Sequence, residues 1–197
     1  IGDAGNRTVL DLMQQALTPQ QRQALRPRIE HAQVLDPADI PRFAEMGVIA
    51  SMQPSHAISD LYFAPARLGA ERLGGAYAWN ALLQSGAVIA AGSDAPVEKG
   101  DPLIEFYAAA HRHALDGHAG PDWHLEQAAS REQALTMLTQ APAFAAFEEN
   151  ERGTIEAGKR ADISAFSVDL MQAPFAEIPS ARAVLTVSDG RVTHEAL

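Results

Sequence analysis

AVIAAG, residues 87–92, is an unbroken apolar run that follows a helix-patterned segment ending on Gly86. A strand without polar alternation is buried on both faces, and such strands occur in parallel sheets covered by helices. Two other short runs, residues 28–33 (RIEHAQ) and 48–53 (VIASMQ), also stand between helical patterns. Residues 6–17 (NRTVLDLMQQAL) place Val9, Leu10, Met13, Ala16 and Leu17 at helical spacing, and Thr18-Pro19 closes the segment. Residues 36–47 (DPADIPRFAEMG) open on an Asp N-cap with proline in the first turn and end at Gly47. AYAWNALLQSG at 76–86 is a third helix, whereas residues 54–75 read as irregular. Helix, strand, helix, strand, helix, strand is the order of βαβ units around a parallel sheet.

Two further helices are expected at about 102–117 and 130–147, the second opened by a capping box, Ser130-Arg131-Glu132-Gln133. From Glu151 the texture changes to short β-type runs broken by glycine, and Asp189-Gly190 between LTVS and RVTH signals a two-residue hairpin. A boundary near residue 149 divides an α/β unit, 1–148, from a small antiparallel β unit, 149–197. No internal repeat or low-complexity tract interrupts either.

With 197 residues, 47% of them hydrophobic, the chain has enough apolar material for a core. Its formal net charge of −10 and the lack of a Lys/Arg stripe argue against a nucleic-acid or anionic-membrane partner. No stretch reaches the ~18 apolar residues of a spanning helix. Zero cysteines remove disulfides and thiolate ligands, leaving histidine and carboxylates for any metal, and fit a reducing compartment such as the cytoplasm. The chain starts on Ile1 without a signal-peptide pattern, and we expect it to be the C-terminal part of a longer protein.

In parallel α/β folds, functional residues gather at the carboxyl ends of strands. His31 closes one such run, and Asp94 closes another within GSDAPVE, residues 92–98. A histidine and an aspartate converging from different strands suit a divalent ion and a water: imidazole binds the ion, and the carboxylate binds it or takes the water's proton. The residues alone leave two alternatives open. His31 could be a hydrogen-bonded structural residue, and Asp94 a helix N-cap.

Residues 28–33 (RIEHAQ), 51–56 (SMQPSH), 76–83 (AYAWNALL), 92–98 (GSDAPVE) and the later GTIEAGKRADI resemble, in order and spacing, the metal-dependent amidohydrolase superfamily. The nearest branch is the YtcJ-like amidohydrolases, related to N-substituted formamide deformylases. The resemblance implies the C-terminal part of a (β/α)8 TIM barrel followed by part of a small β-sandwich. It implies hydrolysis of a non-peptide, amide-type C–N bond in a small molecule by a metal-activated water, with zinc as the favoured ion. His31 then looks like the metal ligand after the sixth strand, and Asp94 the carboxylate after the eighth, ligand and proton acceptor in one. The opening IGDAGN is similar to the family's segment after its fifth strand, and the remaining ligands lie ahead of Ile1. A full barrel takes about 250 residues, so the activity would belong to the intact protein. The chain would associate with the missing N-terminal part or with a further copy of itself.

His56, just after Gln53-Pro54, would project from a loop over the barrel mouth as a substrate contact. Arg67 and Arg72 could clamp a substrate carboxylate or carbonyl by paired hydrogen bonds, or could pair with the many acidic side chains nearby. Tyr77 and Trp79 read as helix packing. His111-Arg112-His113 spells a metal motif but falls in a helical pattern, where residues two apart diverge by about 200°. His118 and His124 read as solvated loop residues.

Overall fold

The computed structural model describes residues 1–121 and 123–196. β1 (Arg28–Glu30), β2 (Ile49–Met52) and β3 (Ile89–Ala91) form a parallel sheet in the order β1-β2-β3. Ile29 pairs with Ala50, and Ser51 with Ala90. The alternation of helix and strand is present, with strands shorter than the runs that suggested them. β1 stops at Glu30 because His31 and Ala32 take left-handed φ values of 70° and 41°, which no ladder can continue.

The helices depart further from expectation. α1 (Asp3–Ala16) begins ahead of Asn6, and of its apolar residues Leu10 is fully buried while Val9 and Ala16 face solvent. α1 ends just ahead of Thr18-Pro19, as expected, but the same pair also opens α2 (Pro19–Leu25): Thr18 Oγ1 accepts the Gln21 amide, and Gln21 Oε1 accepts the Thr18 amide. Proline suits that first position because its missing N–H would have had no helical partner. The 36–47 segment is a 3-10 turn, Pro37–Asp39, capped by Asp36, then α3 (Ile40–Met46), ended by left-handed Gly47. Residues 54–75 are not irregular. They form α4 (Pro54–Asp60), α5 (Ala64–Leu68) and α6 (Ala70–Leu73), with Pro54 and Pro65 seated in first turns rather than breaking them.

α7 (Trp79–Gln84) starts later than residue 76, because Tyr77 is left-handed (φ 50°) and Gly75 lies against the preceding loop. A Cβ on Gly75 would sit 1.7 Å from the Leu35 carbonyl oxygen, so no side chain fits there. α8 (Pro102–His111) stops well short of 117, at a left-handed Arg112. The 130–147 segment splits at Thr139 into α9 (Arg131–Leu138) and α10 (Gln140–Ala145), since Pro142 has no N–H for the Leu138 carbonyl. The capping box at Ser130 and Gln133 is formed as read from the sequence.

Strand alternation gives the parallel sheet two unlike faces. Ile29, Ala50, Met52 and Ile89 join the main core with Phe43, Trp79, Leu82 and Phe106 from the helices. On the other face Ile49 and Ala90 pack on Ala141 of α10, while Arg28 and Glu30 remain exposed and Glu30 accepts a hydrogen bond from Ser51. Buried Arg112 donates to the carbonyls of Ala76, Tyr77 and Trp123 and lies over the rings of Trp79 and Trp123.

After residue 149, β4 (Ile163–Phe166), β5 (Ala183–Ser188) and β6 (Arg191–Glu195) make one antiparallel sheet in that order. Asp189 and Gly190, at φ 50° and 76°, form the β5–β6 hairpin turn. Among the described residues this is a single sheet rather than a sandwich, and the last residue of the expected 149–197 unit lies outside them. The two parts meet at Arg26, which pairs with Glu149 at 2.5 Å and stacks over Phe144 and Phe147. They meet again at Phe175, stacked on His111 with ring centroids 4.4 Å apart. No helix among the described residues is long and apolar enough to cross a membrane.

Candidate functional site

The carboxyl ends of the three parallel strands bring His31, His56 and Asp94 together. His31 leaves β1 in the left-handed region, its amide held by the Ser51 carbonyl at 2.7 Å. Its Nδ1 lies 2.9 Å from Gln53 Oε1, at the end of β2. An amide oxygen only accepts, so Nδ1 carries the hydrogen and the Nε2 lone pair is left for another partner. His56 is in the first turn of α4, not on a loop, and its ring stacks on His31 with centroids 5.9 Å apart. It is buried, its Nε2 has no hydrogen-bond partner among the described residues, and that nitrogen lies 3.9 Å from Asp94 Oδ2. This is within ion-pair range but too long for a hydrogen bond.

Asp94 is held by the turn that GSDAPVE builds. The Gly92 amide donates to the Met52 carbonyl, Ser93 Oγ accepts the Ala95 amide, and the Asp94 carbonyl accepts the Val97 amide. Asp94 itself is left-handed (φ 57°), with its side chain 41% exposed. It caps no helix: the cap of α8 is Asp101, whose carboxylate accepts the Leu103 amide. Beside this cluster Gln33 donates to Asp60 and to the Tyr77 hydroxyl, which in turn donates to Asp60. Burial, first, and the Asp60 carboxylate raise the Tyr77 phenol far above its ordinary pKa, so it stays protonated. Tyr77 and Trp79 are both buried core residues, as expected, although Tyr77 stands on a left-handed loop ahead of the helix and also joins a polar network.

The two arginines differ. Arg67 is exposed on α5 and, among the described residues, has no ion pair or side-chain hydrogen bond. Arg72 makes two hydrogen bonds to Asp3, of 2.8 and 3.0 Å, which hold that carboxyl below its usual range. His111 and His113 do not diverge as a continuous helix would require. The helix ends between them, and their rings stack with centroids 4.0 Å apart, His113 Nδ1 lying 2.6 Å from the His111 carbonyl. His118 stacks on Tyr62, and His124 pairs with Glu126.

Among the described residues no group of three or more histidine, aspartate or glutamate side chains is gathered closely enough to hold a metal ion. The donor set nonetheless fits a share in such a site. A histidine oriented through one ring nitrogen by a second residue, with the other nitrogen free, is how metal-binding imidazoles are commonly set. Gln53 plays that orienting part and was not picked out from the sequence; its place at a strand's carboxyl end was the available signal.

Comparison with known proteins bears on these residues. The family model described as "Amidohydrolase family" matches residues 1–194. YtcJ of Bacillus subtilis (strain 168), named an amidohydrolase, is 34% identical over 172 residues, covering 85% of this chain and 32% of that protein. The N-substituted formamide deformylase of Arthrobacter pascens is 26% identical over 170 residues, with 85% and 31% covered. This chain therefore spans about a third of the length of these relatives. An uncharacterized metal-dependent hydrolase from Pyrococcus horikoshii OT3 superposes with a TM-score of 0.70 at 27% identity, covering 82% of this chain and 31% of that one. A variant of the atrazine chlorohydrolase TrzN from Arthrobacter aurescens TC1, solved with zinc and atraton, gives 0.59 at 25% identity, with 86% and 36% covered. With nearly every residue inside the family match, and with YtcJ and the deformylase among its relatives, this chain belongs to the amidohydrolase family, in the neighbourhood of its YtcJ-like members.

Proposed function

We propose that this chain supplies the C-terminal third of a metal-dependent hydrolase of amide-type C–N bonds in small molecules. The parallel sheet would be the last part of a (β/α)8 barrel, and the antiparallel sheet part of a small β-sandwich. The observation that carries the reading is the convergence of His31, His56 and Asp94 at the strands' carboxyl ends. His31, through Nε2, and Asp94 would hold a divalent ion, with zinc favoured by the zinc-containing relative and by the His/carboxylate donors. The ion, when bound, would polarise the scissile carbonyl and acidify a water. Asp94, whose Oδ2 lies toward His56, would accept a proton from the attacking water and return it to the departing amine. His56 Nε2, buried and unpaired, serves as a hydrogen-bonding contact for substrate at the same place. Arg67 is the arginine free to meet a substrate carbonyl or carboxylate, whereas Arg72 braces the start of α1 through Asp3. The acidic, cysteine-free composition agrees with cytoplasmic work on small molecules rather than on nucleic acid or membranes.

Asp94→Asn in the intact protein should lower turnover by about 10²–10⁴-fold, the usual weight of general acid–base catalysis, with His31 intact to keep its share of the metal. Near-normal turnover would remove Asp94 from the chemistry.

A second reading has one observation in its favour: β1 and β3 each pair on one side only, and Arg28 and Glu30 face solvent beside the open edge of β1. The chain would then be an assembly module completed by further strands, from another polypeptide or a second copy. Light scattering on the isolated chain tests this, since a stable monomer rules out any need for a partner.

A further inference from the structure

A cavity of about 330 Å³ lies between α4, the loop 98–101 and α8, next to the His56–Asp94 pair but not containing it. One helix serves both places: α4 turns His56 toward Asp94, and Ser55, Ile58 and Ser59 toward the cavity. Ile58, Ile104, Leu115 and Tyr62 give it apolar walls. Its polar lining is one-sided in charge, with Glu98, Asp101, Glu105 and Asp116 set against Lys99 alone. Among the described residues Lys99 makes no ion pair with any of them.

Three of these carboxylates have local duties. Glu98 accepts from Ser59 Oγ, Asp101 caps α8, and Asp116 accepts from the Tyr62 hydroxyl and the His118 amide. Glu105 is different. It is only 3% exposed, no cation approaches it, and the hydrogen bond it accepts comes from the Ser55 amide, onto Oε2. Beside it Ser55 Oγ, on a residue 1% exposed, has no hydrogen bond of good geometry among the described residues, although it lies near enough to the Glu105 carboxyl to lower its pKa. Burial raises the Glu105 pKa, against the opposing pull of the Ser55 hydroxyl and amide, and the nearby Glu98 and Asp101 carboxylates add to the rise. A buried carboxyl without a counter-charge is costly to keep ionised, and here it lines a cavity wide enough for a small molecule.

We propose that this cavity is a subsite for an organic ammonium group on a small apolar skeleton. The buried Glu105 carboxylate and the Ser55 hydroxyl would receive its N–H groups, with Glu98 and Asp101 reinforcing the charge. Under the hydrolase reading, on which this part rests, the group is a separate cationic nitrogen carried on the amine half of the substrate, because the scissile amide nitrogen is uncharged and has to lie at Asp94, outside this cavity. The subsite therefore selects substrates whose amine half bears such a cation.

Calorimetric titration of the intact protein with cyclohexylammonium chloride, cyclohexanol and cyclohexanecarboxylate tests this without turnover. Cyclohexylammonium should bind about tenfold or more tightly than the alcohol, as expected for one charge-assisted hydrogen bond, and the carboxylate more weakly than either. Glu105→Gln, which keeps an acceptor for the Ser55 amide, should remove that tenfold preference and leave cyclohexanol binding unchanged. If that variant melts early, Glu98→Gln in the loop should reduce the preference in the same direction. Equal affinity for ammonium and alcohol, or a preference unmoved by both variants, overturns the subsite. Ammonium binding in a protein that hydrolyses no amide keeps the subsite and sinks the hydrolase reading. Amide hydrolysis without ammonium binding does the reverse.

Discussion

The two sheets solve the same hydrogen-bonding problem in opposite surroundings. Three of the four β2 residues are buried between helices, whereas all five β6 residues are exposed. The parallel sheet leans on side chains distant in sequence, such as Trp79, Phe43 and Phe106; the antiparallel one is held by its hairpin and neighbouring strands. The difference teaches where stability and function are concentrated. The strands that end at His31, Gln53 and the turn before Asp94 belong to the packed region, so the site inherits its rigidity from a core built around the helices.

Substitutions should separate the two regions by size of effect. Trp79→Ala, at a fully buried ring, should lower unfolding free energy by about 3–5 kcal/mol in a denaturant titration. Arg112→Leu leaves the carbonyls of Ala76 and Trp123 without their donor, that of Tyr77 keeping the Trp79 amide, and should remove about 3 kcal/mol, since each buried unpaired group costs about 1–3. A loss as small as that of a surface change would mean that the Tyr77 loop stands without it.

The junctions between the regions should show up in acid. Burial, then His113 and Arg131, lower the His111 pKa below its ordinary 6.5. The folded state thus favours neutral His111, and this contribution is complete above pH 6.5 and fades as pH falls below it. Glu149, held by Arg26, titrates at about 2 rather than 4.5, so its contribution is present above pH 4.5 and is lost as pH falls toward 2. Melting temperatures should therefore fall in two acid steps. His111→Phe, which keeps a ring against Phe175, should diminish only the first, and Glu149→Gln only the second, where Asp3 and Asp36, also held below their usual range, keep a remainder. The smallest effect belongs to the outer sheet: Val192→Ala, on exposed β6, should stay within about 0.5 kcal/mol of the parent. A drop comparable to Trp79→Ala would mean that β6 is covered in the intact protein.

What could be read from the sequence follows the same division. AVIAAG and VIASMQ announced buried parallel strands, and Ser130 with Gln133, like Asp189-Gly190, announced their structures, because each is a local interaction with a local signature. The helices between 54 and 75 were hidden because Pro54 and Pro65 look like breakers until their first-turn positions are seen. The 130–147 helix looked continuous because Pro142 sits in an otherwise favourable alanine-rich pattern. At the site, the turn that presents Asp94 was legible, since Gly92-Ser93-Asp94 follows an apolar run, but the left-handed exit at His31 was not, because residues 28–33 read as one continuous strand. Nor was the approach of His56 to Asp94, because it depends on how α4 packs. Glu105 was invisible for a related reason: a glutamate one position ahead of Phe106-Tyr107 reads as a solvated helix face until the neighbouring helix covers it.

His31, Ala32, Tyr77 and Asp94 all sit at positive φ, where side chains other than glycine are under strain. In directed evolution for heat tolerance alone, glycine should be excluded from Tyr77, whose buried ring is worth more than the strain, and should accumulate first at Ala32, which has no polar group to lose. Such a selection would act as a recorder of function. Glycine arriving freely at 32 but barred from 31 and 94, as long as the selection also demands activity, would mark the residues for which the chain accepts a less comfortable backbone.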